Sequence, residues 1–176
     1  RQMCIRDRYI YNLIKESYDY SSTFEIKDMD NEDKDRLFTV IIDQSKISED
    51  IMTKSDSFFV KTVPDLDDVS FDDIKAYLKT AFVFRGSIND PQRGYNLEIS
   101  ATDGSQSKLL SECMDIFDLN PKVNIKKDQY IVYLKDSDKI SDFLAIIEAN
   151  KSLFELENIR AMKSIRNNIN RQTNFD

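Results

Sequence analysis

Histidine is absent from this 176-residue chain. Its absence removes imidazole general-base catalysis, Ser-His and Cys-His nucleophile pairs, and the commonest zinc ligand. Cysteine is nearly as scarce. Cys4 and Cys113 are too few and too far apart for a disulfide framework or a thiolate metal cage, which fits a reducing compartment. No apolar run approaches the roughly 18 residues that a membrane span needs, and no basic-then-apolar secretory leader opens the chain. The expected location is therefore the cytoplasm, with no membrane partner.

What is present is a core-forming composition, 40% apolar and 11% aromatic, enough for one domain or parts of two. The net charge of −7 argues at first against nucleic acid, because phosphate binding is driven by cationic side chains and counterion release. The distribution changes that reading. Residues 19–73 carry −10, whereas 1–18 carry +2, 74–150 carry −1 and 151–176 carry +2. One acidic stretch supplies the whole deficit.

The opening RQMCIRDR, residues 1–8, looks like a translated sequencing-adapter read-through and is set outside the expected fold. Ile10, Leu13 and Ile14 recur at helical spacing over Tyr9–Tyr18. Phe24 and Ile26 then alternate with polar residues, and after the acidic turn DMDNEDKD the β-rich run LFTVII completes an expected hairpin. Ser48–Lys54 reads as a helical turn, and PDLDDVS as a linker.

A stripe of Phe71, Ile74, Tyr77, Leu78, Ala81 and Phe82 predicts a helix that Gly86 breaks. NDPQRG is a turn before the strand YNLEIS, with Tyr95, Leu97 and Ile99 on one face. A helix over Ser105–Phe117 is stopped by Asn120 and Pro121. The strands KVNIKK and QYIVYLK form a second hairpin. Ser137 is the expected N-cap of the next helix, and Asn150 opens a last helix with Leu153, Leu156, Ile159, Met162, Ile165 and Ile169 as its apolar stripe. The order is that of an α+β domain, and Tyr9–Asp43 echoes Ser105–Lys135 as helix then hairpin, a hint of internal duplication.

Two strings, AFVFRGSINDPQRGYNLEIS and DKISDFLAIIEANKSLFELENIRAMKSIRNNINR, resemble the WhiA family, the first its second LAGLIDADG helix with the following turn and strand. The resemblance is close from Phe71 onward, about 60% of the chain, and looser over 9–73. It implies an α+β, LAGLIDADG homing-endonuclease-like fold of pseudo-repeated αββαββα order, with one repeat near complete and one partial. The implied division is 9–66 for the partial first repeat, 67–149 for the second, and 150–176 for a helix leading to a helix-turn-helix domain. The first LAGLIDADG helix and its hairpin are expected before Tyr9, and the helix-turn-helix domain after NRQTNFD.

The resemblance also implies a DNA-binding regulator of cell division, chromosome segregation and sporulation, nucleoid-associated, without nuclease activity and without a cofactor. In active LAGLIDADG nucleases an acidic residue at the end of the motif helix holds a divalent metal. Here Arg85 stands in that place and Val83 at the preceding acidic position, so no catalytic residue and no metal ligand is expected; a guanidinium is always cationic and repels a metal. Thr80 and Phe84 stand where the family has small residues, and Asp72 and Asp73 where it has a cysteine pair. Asp90, just before Pro91, reads as a turn residue, and Asp67, Asp68, Asp72 and Asp73 as a solvated helix start.

Double-stranded DNA is the expected partner, with a regulatory protein as a second. Alternation places Asn96, Glu98 and Ser100 on the polar sheet face of one strand, and Lys122, Asn124 and Lys126 on that face of another strand, with Arg93 and Lys127 at adjoining turns. Arg160, Lys163, Asn167 and Arg171, with Arg166 nearby, line a polar side of the last helix and are candidates for phosphate contact. The rival readings are a protein-interaction or tethering domain without DNA contact, which the −10 stretch favours, and an active LAGLIDADG homing endonuclease, which Arg85 and Val83 disfavour.

Overall fold

The structure is a computed structural model that describes residues 5–19, 23–28, 36–59, 66, 69–126 and 129–173. The chain divides into two compact units, Arg1–Thr62 and Val63–Asp176.

The first unit contains helix α1 (Ile5–Tyr18), an antiparallel hairpin of β1 (Thr23–Asp28) and β2 (Arg36–Ile41), and helix α2 (Ser45–Phe59). Register runs from Thr23 opposite Ile41 to Asp28 opposite Arg36, and the expected turn at residues 29–35 lies outside the described residues. Helix α1 begins at Ile5, inside the stretch expected to lie outside the fold; once a helix is nucleated, each further residue adds a bond at little cost. The Tyr18 hydroxyl donates to Asp50 Oδ2 at 2.7 Å, tying α1 to α2.

Helix α2 corrects the expected turn at Ser48–Lys54, being 15 residues long. Its many hydroxyls disguise it in the sequence, because serine and threonine usually compete with the backbone for hydrogen bonds. Here they bond back into the helix instead. Ser48 Oγ donates to the carbonyls of Gln44 and Ser45, and Thr53 Oγ1 to that of Glu49 at 2.8 Å.

The second unit is helix α3 (Phe71–Arg85), strands β3 (Gly86–Ile88) and β4 (Leu97–Ala101), helix α4 (Gly104–Asp115), strands β5 (Lys122–Lys126) and β6 (Gln129–Leu134), and helices α5 (Ser137–Ile146) and α6 (Asn150–Thr173). Ser70 caps α3 by accepting from the Asp73 N–H and donating to the Asp73 carboxylate at 2.7 Å, so Asp72 and Asp73 are a helix start, as expected. At the other end the Gly86 N–H closes the helix on the Phe82 carbonyl. Asp67 and Asp68 lie outside the described residues.

The four strands form one antiparallel sheet in the order β3-β4-β6-β5. Leu97, Ile99 and Ala101 on β4, with Val132 and Leu134 on β6, face the helices and are buried against Ile74 and Leu78 of α3, Leu110 and Met114 of α4, and Phe143 and Leu144 of α5. The Phe82 and Phe143 rings meet edge to face at 5.5 Å between centroids. Each fully buried side chain of this size contributes about 1.5–3 kcal/mol, so this layer carries the unit's stability.

Three expectations are corrected here, and one element was not foreseen. Strand β3 had no forecast, because three residues are too short to show a period. Tyr95 precedes β4 rather than belonging to it. The N-cap of α5 is Asp136, whose carboxylate accepts from the Asp138 and Lys139 N–H groups, leaving Ser137 as the first helical residue. In α6, Leu156 is buried, but Met162, Ile165 and Ile169 of the expected apolar stripe are more than half exposed, because at about 100° per residue they fall on the side of the helix away from Leu156 and α5.

Candidate nucleic-acid interface

Directly opposed residues of an antiparallel sheet share a face, so the register defines what the side away from the helices presents. Ser87, Glu98, Tyr133 and Lys122 make one row across all four strands. Ser100, Ile131 and Asn124 make the next, and Gln129 with Lys126 the last. All five residues of the edge strand β5 are exposed. The grouping of Glu98 and Ser100 with Lys122, Asn124 and Lys126 is thus on one continuous surface, as alternation predicted.

Its charges are unequal. Lys122 and Lys126 have no ion-pair partner among the described residues, and Lys135 adds a third cation, its Nζ lying 5.3 Å from the centre of the Tyr133 ring. Glu98 is the one carboxylate in these rows, and its Oε1 accepts from Asn96 Nδ2 at 2.7 Å. Tyr133 and Lys135 were missed from the sequence, although they continue the same alternation beyond Gln129 and Ile131.

The remaining candidates are dispersed. Arg93 is exposed at the β3–β4 turn, with Nε 4.0 Å from Asp90 Oδ2. Asp90 itself accepts from the Gln92 N–H at 2.9 Å, the turn role expected of it. Arg85 is exposed at the last turn of α3, where a cation suits the negative helix end, and Val83 is half-buried. Lys127 lies outside the described residues.

On α6, Arg160 and Lys163 point into the unit rather than away from it. The Arg160 guanidinium bonds Glu157 at 2.6 Å, Ser141 at 3.2 Å and also Asp138, so it joins α6 to α5. Lys163 Nζ donates to the Pro91 carbonyl at 2.6 Å and stands 4.9 Å from the Tyr95 ring centre, pinning the β3–β4 turn. Asn167, Arg166 and Arg171 are exposed.

Ionisation follows these contacts. The Ser141 hydroxyl above all, helped by Arg160, holds Glu157 below the usual carboxylate range against the opposing effect of burial. Burial pushes the Cys113 thiol up to about 11, and burial with the neighbouring Cys113 pushes Tyr77 up to about 12. Both therefore stay protonated at neutral pH, unsuited to nucleophile or base roles. Among the described residues no group of three or more cysteine or carboxylate side chains is arranged to hold a metal, and no helix is long and apolar enough to cross a membrane.

The family model of the WhiA LAGLIDADG-like domain matches residues 74–166, the span that builds this sheet and its helices. The chain belongs to the WhiA family. It is 33% identical over 96% of its length to the "Probable cell division protein WhiA" of Clostridium beijerinckii, and 35% identical over the same share to that of Syntrophomonas wolfei. It spans 56% of the length of each of these WhiA relatives. The crystal structure of full-length DUF199/WhiA from Thermatoga maritima superposes with a TM-score of 0.60 at 22% identity, covering 96% of this chain and 57% of that one. The crystal structure of the N-terminal LAGLIDADG domain of DUF199/WhiA gives 0.54 at 18% identity, covering 81% of this chain and 65% of that one. The LAGLIDADG-like fold expected of a WhiA chain is therefore the fold observed.

Proposed function

We propose that this chain is the DNA-associated LAGLIDADG-like part of a WhiA-type cell division regulator, and that it holds DNA without cutting it. The observation that carries the reading is the open sheet face. There Lys122, Lys126 and Lys135 outnumber the single carboxylate Glu98, and Lys122 and Lys126 have no ion-pair partner among the described residues. Unpaired lysines displace counterions when they meet phosphates, and that release drives sequence-independent DNA binding. Asn124, Ser100 and Gln129 between them offer hydrogen bonds to the backbone.

Arg85 supports the silent half of the reading, since the motif position that would hold a divalent cation carries a permanent positive charge. The names of the relatives support a role in cell division rather than in DNA cleavage. Roles in sporulation and chromosome segregation, and residence on the nucleoid, are part of the same proposal and follow from the family resemblance.

The test is the salt dependence of DNA binding. Replacing Lys122 and Lys126 together by glutamate should weaken binding and flatten the log-log slope by about one unit for each phosphate no longer neutralised. Unchanged affinity and slope would move the function to protein tethering, the reading that the acidic stretch of residues 19–73 favours.

A further inference from the structure

Helix α6 is apolar on two opposite sides. At about 100° and 1.5 Å per residue, Leu153, Leu156, Arg160 and Lys163 fall on one side, and that side meets the rest of the unit. Phe154, Ala161, Met162 and Ile165 fall on the other. Phe154 is 69% exposed, Met162 64% and Ile165 55%, although an exposed helix back is normally polar.

The spacing on that outer side identifies what covers it. Phe154 and Ile165 are eleven residues apart, and so are Glu155 and Arg166 beside them. Each pair is thus aligned to within about 20° and separated by about 16 Å along the axis. A two-fold axis crossing α6 at the level of Arg160 brings Phe154 within one residue's rise of Ile165 of the partner subunit, twice. The same operation brings Glu155 within one residue's rise of Arg166 of the partner subunit, also twice. Neither Glu155 nor Arg166 forms an ion pair within the chain among the described residues, and Ala161 at the crossing is small enough for close approach.

We propose that the outer face of α6 is a self-association surface on which a second copy of this chain docks antiparallel. Self-complementarity about one axis is what a two-fold dimer requires of a single patch. DNA offers nothing apolar to cover Phe154, Met162 and Ile165. With so few large apolar side chains per copy, the contact falls below the about 800 Å² per partner of a standard interface, so the dimer is weak and reversible. The surface is separate from the sheet face, and its failure leaves the DNA reading untouched.

The experiment is sedimentation velocity on the 176-residue chain from about 1 to about 100 μM, a span that brackets a weak association. A concentration-dependent monomer-dimer equilibrium is expected. Ile165→Lys and Arg166→Glu should each raise the dissociation constant about tenfold or more, and the charge-swapped Glu155→Arg/Arg166→Glu double variant should recover most of that loss. These side chains face outward, so unchanged thermal melts will certify that the variants fold. A monomer throughout the range overturns the proposal. So does a dimer indifferent to Ile165→Lys, or a double variant no better than Arg166→Glu.

Discussion

Replacing Gly86 by alanine should destabilise the second unit through one clash that cannot be relieved locally. The backbone there is extended, at φ −88° and ψ 155°, so alanine suits its conformation and the whole penalty is steric. A Cβ at this position lies 2.2 Å from Phe82 Cδ2, 2.8 Å from its Cε2 and 2.5 Å from the Phe82 carbonyl oxygen. The ring can swing aside, but only by leaving its edge packing on Phe143, worth about 0.5–1.5 kcal/mol. The carbonyl has no such freedom, because it accepts the N–H that ends α3. Forcing it apart is overpacking, at about 1–3 kcal/mol, for a total of about 2–4 kcal/mol.

For a unit of this size that destabilisation lowers Tm by about 10–25 °C. Gly104→Ala is the matched control. Gly104 begins α4 and its Cβ would meet only the Tyr130 ring tip at 3.4 Å, so removing unfolded-state freedom should leave stability unchanged or raise it by about 0.4–1 kcal/mol, with no fall in Tm. Thermal melts by circular dichroism read both. A Gly86→Ala variant within about 2 °C of the parent, or a Gly104→Ala variant that falls as far, would refute the packing described for the end of α3.

Arg160→Met keeps the aliphatic stem but removes the bonds to Asp138, Glu157 and Ser141, so amide exchange should quicken in α6 beyond Arg160 while the global cost stays at about 1 kcal/mol or less for such exposed pairs; unchanged exchange would mean that the network does not hold the helix. Because Glu157 has a lowered pKa in the folded chain, its contribution is full above the ordinary carboxylate range and is lost as pH falls through that lowered value. Exchange protection of α6 should therefore be flat from pH 7 to about 5 and decline only below that, and loss of protection nearer neutral pH would contradict the assignment. Cys113 is 2% exposed with its thiol pushed up to about 11, so maleimide labelling of this residue at pH 8 should follow unfolding; rapid labelling of the native chain would place Cys113 outside the core.

Strong periods and punctuation were the legible part of this chain. The stripe from Ile74 to Phe82 with Gly86 behind it marks α3, and the alternation in Lys122–Lys126 and Gln129–Leu134 marks both the hairpin and the open face. What escaped had physical reasons. Strand β3 has too few residues to repeat, α2 hides behind hydroxyls that bond its own carbonyls, and Asp136 outcompetes Ser137 as a cap because its carboxylate reaches two N–H groups at once.

For the candidate interface, alternation placed Lys122, Asn124 and Lys126 together, since strand period alone decides which face a residue takes. It did not reveal that Arg160 and Lys163 turn inward. Their partners Asp138, Ser141, Pro91 and Tyr95 come from other elements, and helical spacing carries no information about what lies across a helix. The apolar residues Met162 and Ile165 misled for the same reason, as a stripe shows that a face is apolar without showing what it meets.

DNA association without strand cutting is tested most directly by incubating the 176-residue chain with supercoiled plasmid in magnesium at low salt, scoring retardation and strand breaks in one gel. Salt-sensitive retardation is expected, indifferent to EDTA, weakened in the Lys122→Glu/Lys126→Glu variant, and with the plasmid left supercoiled throughout. Nicked or linear product at a defined sequence that disappears with EDTA would restore the nuclease, and a parent chain that retards no plasmid at any salt concentration would contradict the DNA-associated role.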